Sequence, residues 1–224
     1  MITERAHGFV FSTEMYFDAA RNEVLVLDAN ASAITAICRD RDGNGVCDAD
    51  QACTGPATVM GPKLRISRLT TPPGDDTLAF SGTMQLPFPF SPPLDPLTKG
   101  ARVLLVDAAG TVLDATIPGG AFDPATKTGW KTTGAGTAWS YRNGSGGVLG
   151  IVKVIVKTVP KTPGLVKFDV GGKNGRYPVT SSQLPVTATL VLDAPTATTG
   201  QCGAAIWDQT SCIFASSGAT LRCR

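Results

Sequence analysis

The chain has a single histidine, His7, among 224 residues. Nucleophilic catalysis by a Ser-His or Cys-His pair needs a positioned base, and one histidine near a terminus gives little basis for it. The adjacent carboxylates of Asp75 and Asp76 follow Pro-Pro-Gly, a context in which Asp is a common turn residue. We therefore expect a protein that is not an enzyme.

Charge and long apolar runs are also scarce. Charged residues make up 17% of the chain, below the roughly 25% usual for soluble domains. No apolar run approaches the ~18 residues of a membrane helix, so we expect no membrane span. No basic helix or stacking motif accompanies the lysines, which argues against nucleic-acid binding. The N-terminus lacks the basic region and apolar stretch of a signal peptide.

Turn-forming and apolar residues are abundant. The chain has 25 glycines and 16 prolines, and its 42% hydrophobic residues occur in regular blocks. About a dozen strand candidates follow one another between turn signals, with no convincing long helix. This pattern predicts an all-β fold, a β-sandwich of immunoglobulin-like or jelly-roll-like type, with an N-terminal strand extension.

Alternation with a period of two marks several strands. The apolar residues of this alternation are Leu78, Phe80, Met84, Leu86, Val186, Ala188, Leu190 and Leu192. The turn 108–110 predicts a hairpin between 102–107 and 111–117, and Asn174-Gly175 predicts another. Residues 118–136 are predicted to form a long loop.

Gly61-Pro62 is the best candidate for a domain boundary. It separates an N-terminal strand segment, residues 1–61, from a sandwich domain, residues 62–224. Residues 1–60 have a net charge of −5 and residues 61–224 a net charge of +7. The acidic excess is explained by metal ligands, or by complementary ends that attract one another between subunits.

The cysteines fall in two clusters of three with none between them. They are Cys38, Cys47, Cys53, Cys202, Cys212 and Cys223. Such spacings in a strand-rich chain suggest disulfides and hence an extracellular or cell-surface location. If all six pair within one chain, at least one bridge joins the clusters; otherwise each cluster leaves a thiol free or bonded to another molecule. A zinc site is disfavoured, because no Cys-x-x-Cys is present and His7 is remote.

The richest stretch, residues 38–53, has the spacing of a calcium loop. Counting Asp40 as the first position, oxygen ligands fall at alternate residues and a glycine stands at the sixth, where the chain turns sharply. The expected ligands are Asp40, Asp42, Asn44, the Val46 carbonyl and Asp48. The twelfth position holds Gln51 in place of an acidic residue, so Asp50 is the expected substitute. The alternative is an acidic, solvated turn.

This stretch resembles the calcium repeats of thrombospondin type 3 and EF-hand-like bacterial loops with an Asp-x-Asp-Gly-Asn-Gly pattern. The resemblance covers residues 38–53 only. It implies that the side chains of Asp40, Asp42, Asn44, Asp48 and Asp50 bind Ca²⁺. Cys47, flanked by Cys38 and Cys53, would then pre-organise an irregular, disulfide-locked loop.

Two surface patterns each allow two interpretations. Trp130, Trp139 and Tyr141 form a glycan-binding platform or, as we prefer, pack in the core. A series of basic residues forms a surface for acidic polysaccharide or, as we prefer, protects an exposed strand from edge pairing. The series is Lys153, Lys157, Lys161, Lys167, Lys173 and Arg176.

Together these features predict a secreted, non-catalytic structural protein. We expect it to act as a surface, adhesive or fibre subunit that self-associates as a homo-oligomer or filament. Its N-terminal strands would add to the sheet edge of another subunit. The alternative is a carbohydrate-binding module of an extracellular protein.

Overall fold

The structure, a computed structural model, describes residues 53, 55–133, 136–194 and 199–224, together with four N-terminal strands. These strands are β1 (Ile2–Thr3), β2 (Ser12–Asp18), β3 (Glu23–Asp28) and β4 (Ala33–Arg39). They pair antiparallel in the order β1-β4-β3-β2 and form a sheet of their own.

Twelve further strands form one large sheet. Those before residue 150 are β5 (Ala57–Ser67), β6 (Asp76–Gln85), β7 (Ala101–Asp107), β8 (Gly110–Ile117), β9 (Thr128–Thr133) and β10 (Ala138–Asn143). The others are β11 (Ile151–Thr158), β12 (Leu165–Gly175), β13 (Val186–Val191), β14 (Cys202–Trp207), β15 (Cys212–Phe214) and β16 (Thr220–Cys223). The described helical elements are α1 (Pro96–Lys99) and a 3-10 turn at Ser181–Gln183.

The large sheet runs in the order β8-β7-β13-β14-β5-β6-β12-β11-β10-β9. β16 pairs with β5 and carries β15 on its other side. We call β8, β7, β13 and β14 the first half-sheet. The second half-sheet consists of β5, β6, β12, β11, β10 and β9, together with β15 and β16. β5 and β14 run parallel whereas their neighbours run antiparallel, so the sheet is mixed.

β5 joins the two half-sheets. Its first residues lie beside β14 and its last four beside β16, while β6 pairs along both parts. Between them the register shifts at Gly61, whose φ of 54° is a conformation that glycine adopts without strain. The predicted boundary at Gly61-Pro62 thus lies inside a strand, and the sheet is continuous across it.

One hydrophobic core lies between the half-sheets. The Phe80 ring of β6 is 4.8 Å from the Phe168 ring of β12 and 6.0 Å from the Trp207 ring of β14. The Phe80–Trp207 contact joins the two half-sheets. Each of the two edge-on contacts stabilises the fold by about 0.5–1.5 kcal/mol beyond area burial. All eight residues of the predicted alternation are buried, with at most 3% of their surface exposed.

The all-β prediction is confirmed, since strands account for 55% of the structure and helices for 4%. The predicted sandwich type is not, because the half-sheets are parts of one curled sheet. The predicted hairpin is confirmed as β7 and β8.

The predicted loop 118–136 and the second predicted hairpin are wrong. Residues 128–133 form β9, an edge strand with only Trp130 buried, so no alternation reveals it. Asn174-Gly175 ends β12 at an irregular register opposite β6. The chain then leaves the sheet, and the Tyr177 amide donates to Asp76 Oδ2 at 2.7 Å in place of a strand partner.

Candidate functional site

The solvent-facing surface of the second half-sheet, here called the basic face, concentrates positive charge. Side chains two residues apart on a strand share a face, and on these strands the intervening residues are buried in the core. The cations of this face are Lys63, Arg65, Lys131, Arg142, Lys153, Lys157, Lys167 and Arg222. Asp169 is the carboxylate that shares it within the described strands.

Three pairs of these cations lie directly opposite each other on neighbouring strands. They are Arg65 with Arg222, Arg142 with Lys153, and Lys157 with Lys167. Like charges in directly opposite positions destabilise a sheet. The arrangement therefore has a cost to folding, which is unexplained unless the face meets negative charge from elsewhere.

Two of these pairs belong to one row that crosses six strands. In order, the row contains Arg142, Lys153, Gly171, Ala79, Arg65 and Arg222. Neighbouring strands lie about 4.8 Å apart, so the row spans roughly 24 Å. The small residues Gly171 and Ala79 lie in the middle of the row, and each end of the row carries two positive charges.

Little of this charge is neutralised within the described part of the face. Lys153 forms an ion pair with Asp169, and their side chains are 43% and 48% exposed. An exposed pair of this kind contributes only about 0–1 kcal/mol. Arg65 Nε donates to the uncharged Ser67 hydroxyl at 3.1 Å, and Lys131 Nζ lies 4.0 Å from the centre of the Phe122 ring.

A cleft of about 820 Å³, referred to below as the cleft, opens at the end of the basic face where β10 ends and β11 begins. Four cations line it: Lys127, Arg142, Lys153 and Lys173. No carboxylate is among its lining residues in the described chain. The remaining lining residues are Leu78, Phe122, Asn143, Gly144, Gly146, Val152, Gly171, Gly172 and Asn174.

Hydrogen bonds hold the rim of the cleft in place. Asn143 Oδ1 accepts from the Ser145 amide and hydroxyl, each at 2.9 Å, and Asn143 Nδ2 donates to the Tyr141 hydroxyl at 3.1 Å. The Gly144 amide donates to the Lys127 carbonyl at 3.1 Å. The turn between β10 and β11 is thus tied both to the core and to the loop before β9.

The edge-protection account of the lysines is wrong for β11 and β12. β11 lies between β10 and β12, and β12 lies between β11 and β6, so neither strand is an edge. Of the predicted basic series, Lys153, Lys157 and Lys167 lie on the basic face and Lys173 lines the cleft. Lys161 lies in an exposed turn, and Arg176 lines a smaller cavity of about 280 Å³.

The aromatic residues considered for glycan binding lie in the core. Trp130, Trp139 and Tyr141 are 1%, 6% and 1% exposed. The rings of Trp130 and Tyr141 lie 5.4 Å apart, and Trp130 Nε1 donates to the Pro118 carbonyl at 2.9 Å. Buried rings offer no surface on which a sugar stacks, so the core interpretation holds for all three.

Two disulfides are present among the described residues. Cys53 is bonded to Cys202 with a sequence separation of 149, so one bridge joins the two cysteine clusters. Cys53 and Cys202 pack with Val191 and Leu104 in a small apolar cluster apart from the main core. Cys212 is bonded to Cys223, which lies directly opposite it on β16. The predicted disulfide chemistry is thus confirmed at these four positions.

The predicted calcium ligands lie outside the described residues. They are Asp40, Asp42, Asn44, Val46, Asp48 and Asp50, and Cys47 lies there too. Cys38 belongs to β4, of which only the backbone is described. Within the described residues, no group of three or more His, Cys, Asp or Glu side chains is arranged to hold a metal. Calcium binding by residues 38–53 therefore stays a prediction.

A buried polar pair fixes the chain after β12. Asp76 is 6% exposed and Tyr177 is fully buried, and the Tyr177 hydroxyl donates to the Leu149 carbonyl at 3.2 Å. Burial, together with the negative charge of Asp76, raises the pKa of Tyr177 to about 12. This pair holds the chain in position close to the cleft, which Asn174 lines.

The chain matches no protein-family model, no curated protein and no solved structure. Among the described elements, none is a helix with the length and apolar character needed to cross a membrane.

The basic series predicted from the sequence lacks five of the eight cations of the basic face. These five, Lys63, Arg65, Lys131, Arg142 and Arg222, lie on strands β5, β9, β10 and β16. Alternation around Leu64 and Ile66 places Lys63 and Arg65 opposite the core, but nothing local indicates which strands lie beside them. The row depends on cross-strand register, which is a property of the fold.

Proposed function

We propose that the chain is an extracellular, non-catalytic adhesive protein that binds acidic polysaccharide through its basic face. The observation that carries the proposal is the set of three directly opposed like-charge pairs on one solvent-facing surface. A polyanion laid across this face removes the repulsion within each pair. The cost that these pairs impose on the isolated fold is then recovered on binding.

The chemistry of the face favours an extended, hydrated ligand. Its charges are spread over a sheet surface about 24 Å across instead of lining a deep apolar pocket. The exposed ends of lysine and arginine side chains suit the sulfate and carboxylate groups of a polysaccharide, because charge-assisted hydrogen bonds to them are short and strong. The disulfides support an extracellular setting, where such polymers are abundant.

The proposal includes a structural role for calcium and for self-association. Cys53, the last residue of the predicted calcium loop, is tied to β14 through Cys202. We propose that Ca²⁺ stiffens the loop at this anchored end and that copies of the chain assemble into a surface layer or fibre. The opposite net charges of residues 1–60 and 61–224 support contacts between copies.

Binding to immobilised sulfated polysaccharide tests the adhesive role. We expect Lys157→Gln with Lys167→Gln to bind at least about tenfold more weakly, equivalent to ~1.4 kcal/mol. The matched control is Arg68→Gln with Lys99→Gln, which removes the same charge from side chains 60% and 54% exposed and off the basic face. Wild-type binding should weaken steeply with salt, because the screening length falls from ~10 Å at 0.1 M to ~3 Å at 1 M.

Three outcomes contradict the adhesive role. The first is equal loss of binding in the face variant and in the control, since net charge alone would then explain it. The second is wild-type binding that is insensitive to salt. The third is tighter binding to double-stranded DNA than to the polysaccharide at the same ionic strength.

A further inference from the structure

The cleft is a half-open cavity at one end of the basic face. Its volume of about 820 Å³ lies in the range of small-molecule sites, about 300–1,000 Å³. Residues of the turn after β10, the loop before β9 and the last part of β12 line it. A polymer that follows the face therefore meets one place where a single unit contacts several segments of the chain.

The charge of the cleft fits an anionic group. Lys127, Arg142, Lys153 and Lys173 converge on it from four separate segments of the chain. The nearest carboxylate on the face, Asp169, is paired with Lys153 and does not line the cleft. Lys127, Arg142 and Lys173 thus form no ion pair with the described residues and are available to an incoming anion.

Glycine provides the open floor. Gly171 faces outward on β12, directly opposite Lys153. A Cβ built there would meet only the Lys153 side chain, at 3.5 Å, which is ordinary van der Waals contact. A larger residue at this position would fit the strand and project into the cleft, so the absence of a side chain is what keeps the cleft open.

The walls supply groups typical of sugar recognition. The Phe122 ring is partly exposed and carries Lys131 above it, and Asn143 and Asn174 also line the cleft. Asn174 adopts a φ of 54°, which asparagine tolerates better than most residues. Cationic, amide and aromatic groups together match a sugar that bears an acidic substituent.

We propose that the cleft binds one acidic sugar unit, with the sulfate or carboxylate of that unit held between Lys127, Arg142 and Lys173. This inference rests on the proposed function, since it names where on the basic face the polysaccharide is recognised unit by unit. The rest of the face then contributes charge to the polymer without distinguishing its units.

Filling the cleft without changing any charge tests the inference. Gly171→Val places a β-branched side chain on the cleft floor, whereas Ala79→Val adds bulk at the next position of the same row outside the cleft. The probes are a sulfated disaccharide, a non-sulfated uronic-acid disaccharide and a neutral disaccharide, with binding measured by calorimetry. We expect the wild type and Ala79→Val to bind at least one acidic disaccharide, and Gly171→Val to bind it at least tenfold more weakly.

A pair of single-charge variants supports the same test. Lys173→Gln removes a cation of the cleft and Lys63→Gln removes one from the distant part of the face. We expect only the first to weaken disaccharide binding several-fold, while both weaken binding of the full polymer slightly. The two acidic disaccharides show whether sulfate or carboxylate is the preferred group.

The outcomes separate the cleft from the face. Polymer binding without measurable binding of either acidic disaccharide overturns the cleft and leaves the adhesive role standing. Equal disaccharide affinity in Gly171→Val and the wild type also overturns the cleft. Binding of the neutral disaccharide as tightly as the acidic ones excludes recognition of the anionic group. If the wild type does not bind the polymer, the proposed function itself is contradicted.

Discussion

At the scale of single residues, burial decides which polar groups matter for stability. Tyr177 and Asp76 are both buried, and their contacts link the chain after β12 to β6 and to the Leu149 carbonyl. The phenol is held neutral because its ionised form would be desolvated and would lie near a carboxylate. The free energy of unfolding should therefore fall as the pH rises into the alkaline range.

Tyr177→Phe should change that dependence. The pKa of Tyr177 is raised from 10 to about 12 in the folded chain, so its contribution is complete below pH 10 and is lost as the pH rises through 12. By pH 11 the wild type loses about 1.4 kcal/mol from this group. The variant lacks the titration but also the hydrogen bond to Leu149, which costs ~1 kcal/mol.

The free energies of unfolding of the two proteins should thus converge or cross near pH 11. Chemical denaturation at pH 7, 9, 10 and 11 measures this, and tyrosinate absorbance should show one fewer late-titrating group in the variant. A difference in unfolding free energy that stays constant from pH 7 to pH 11 would contradict the assignment.

At the scale of strands and turns, the alternation of apolar residues predicts which side chains face the core. It does not predict strands that are set by pairing with a neighbouring strand. Alternation predicts that Leu78, Phe80, Met84 and Leu86 face the core, and all four are buried. β9 has no such signal, because one buried tryptophan stands among exposed polar residues. Asn174 has the positive φ that an Asn-Gly pair favours, but both residues end β12 at an irregular register, and the chain beyond them is held by the Asp76 side chain and not by a strand.

The directly opposed lysines of β11 and β12 allow a test at this scale. Lys167→Glu converts the repulsive pair with Lys157 into an attractive one, so we expect the free energy of unfolding to rise by up to ~1 kcal/mol. Lys161→Glu makes the same charge change in an exposed turn and is the control. Denaturant unfolding measures both, and a Lys167→Glu protein that is less stable than the control would contradict the account.

The same substitution separates stability from function. Lys167→Glu should weaken binding to acidic polysaccharide even though it stabilises the fold, because the charge that repels Lys157 is also one that attracts the polymer. A variant that is more stable and also binds the polysaccharide more tightly would show that the positive charge of Lys167 does not contribute to binding.

At the scale of the whole molecule, long-range pairing produces features that no local pattern contains. The basic face draws its cations from β5, β9, β10, β11, β12 and β16, which span residues 63–222. The odd cysteine counts require a bridge between the two clusters if all six cysteines pair within the chain, and Cys53–Cys202 is such a bridge. In the chain-entropy model, closing a loop of this length lowers the conformational entropy of the unfolded chain and so stabilises the folded chain by about 5 kcal/mol.

That bridge also sets what calcium removal should do. If residues 38–53 bind Ca²⁺ with a Kd of roughly 1 mM, 10 mM calcium stabilises the folded chain by ~1.4 kcal/mol. A chelator should therefore lower the midpoint of thermal unfolding, and Asp42→Asn should remove the response to calcium. Asp75→Asn, at a half-buried carboxylate outside residues 38–53, should keep the response. Electron microscopy of the same samples tests assembly, for which we expect filaments or layers with calcium that disperse with the chelator. Because Cys53 anchors the loop to β14, a thermal midpoint that does not change with calcium would contradict the metal site. Discrete monomers both with calcium and with the chelator would contradict assembly alone.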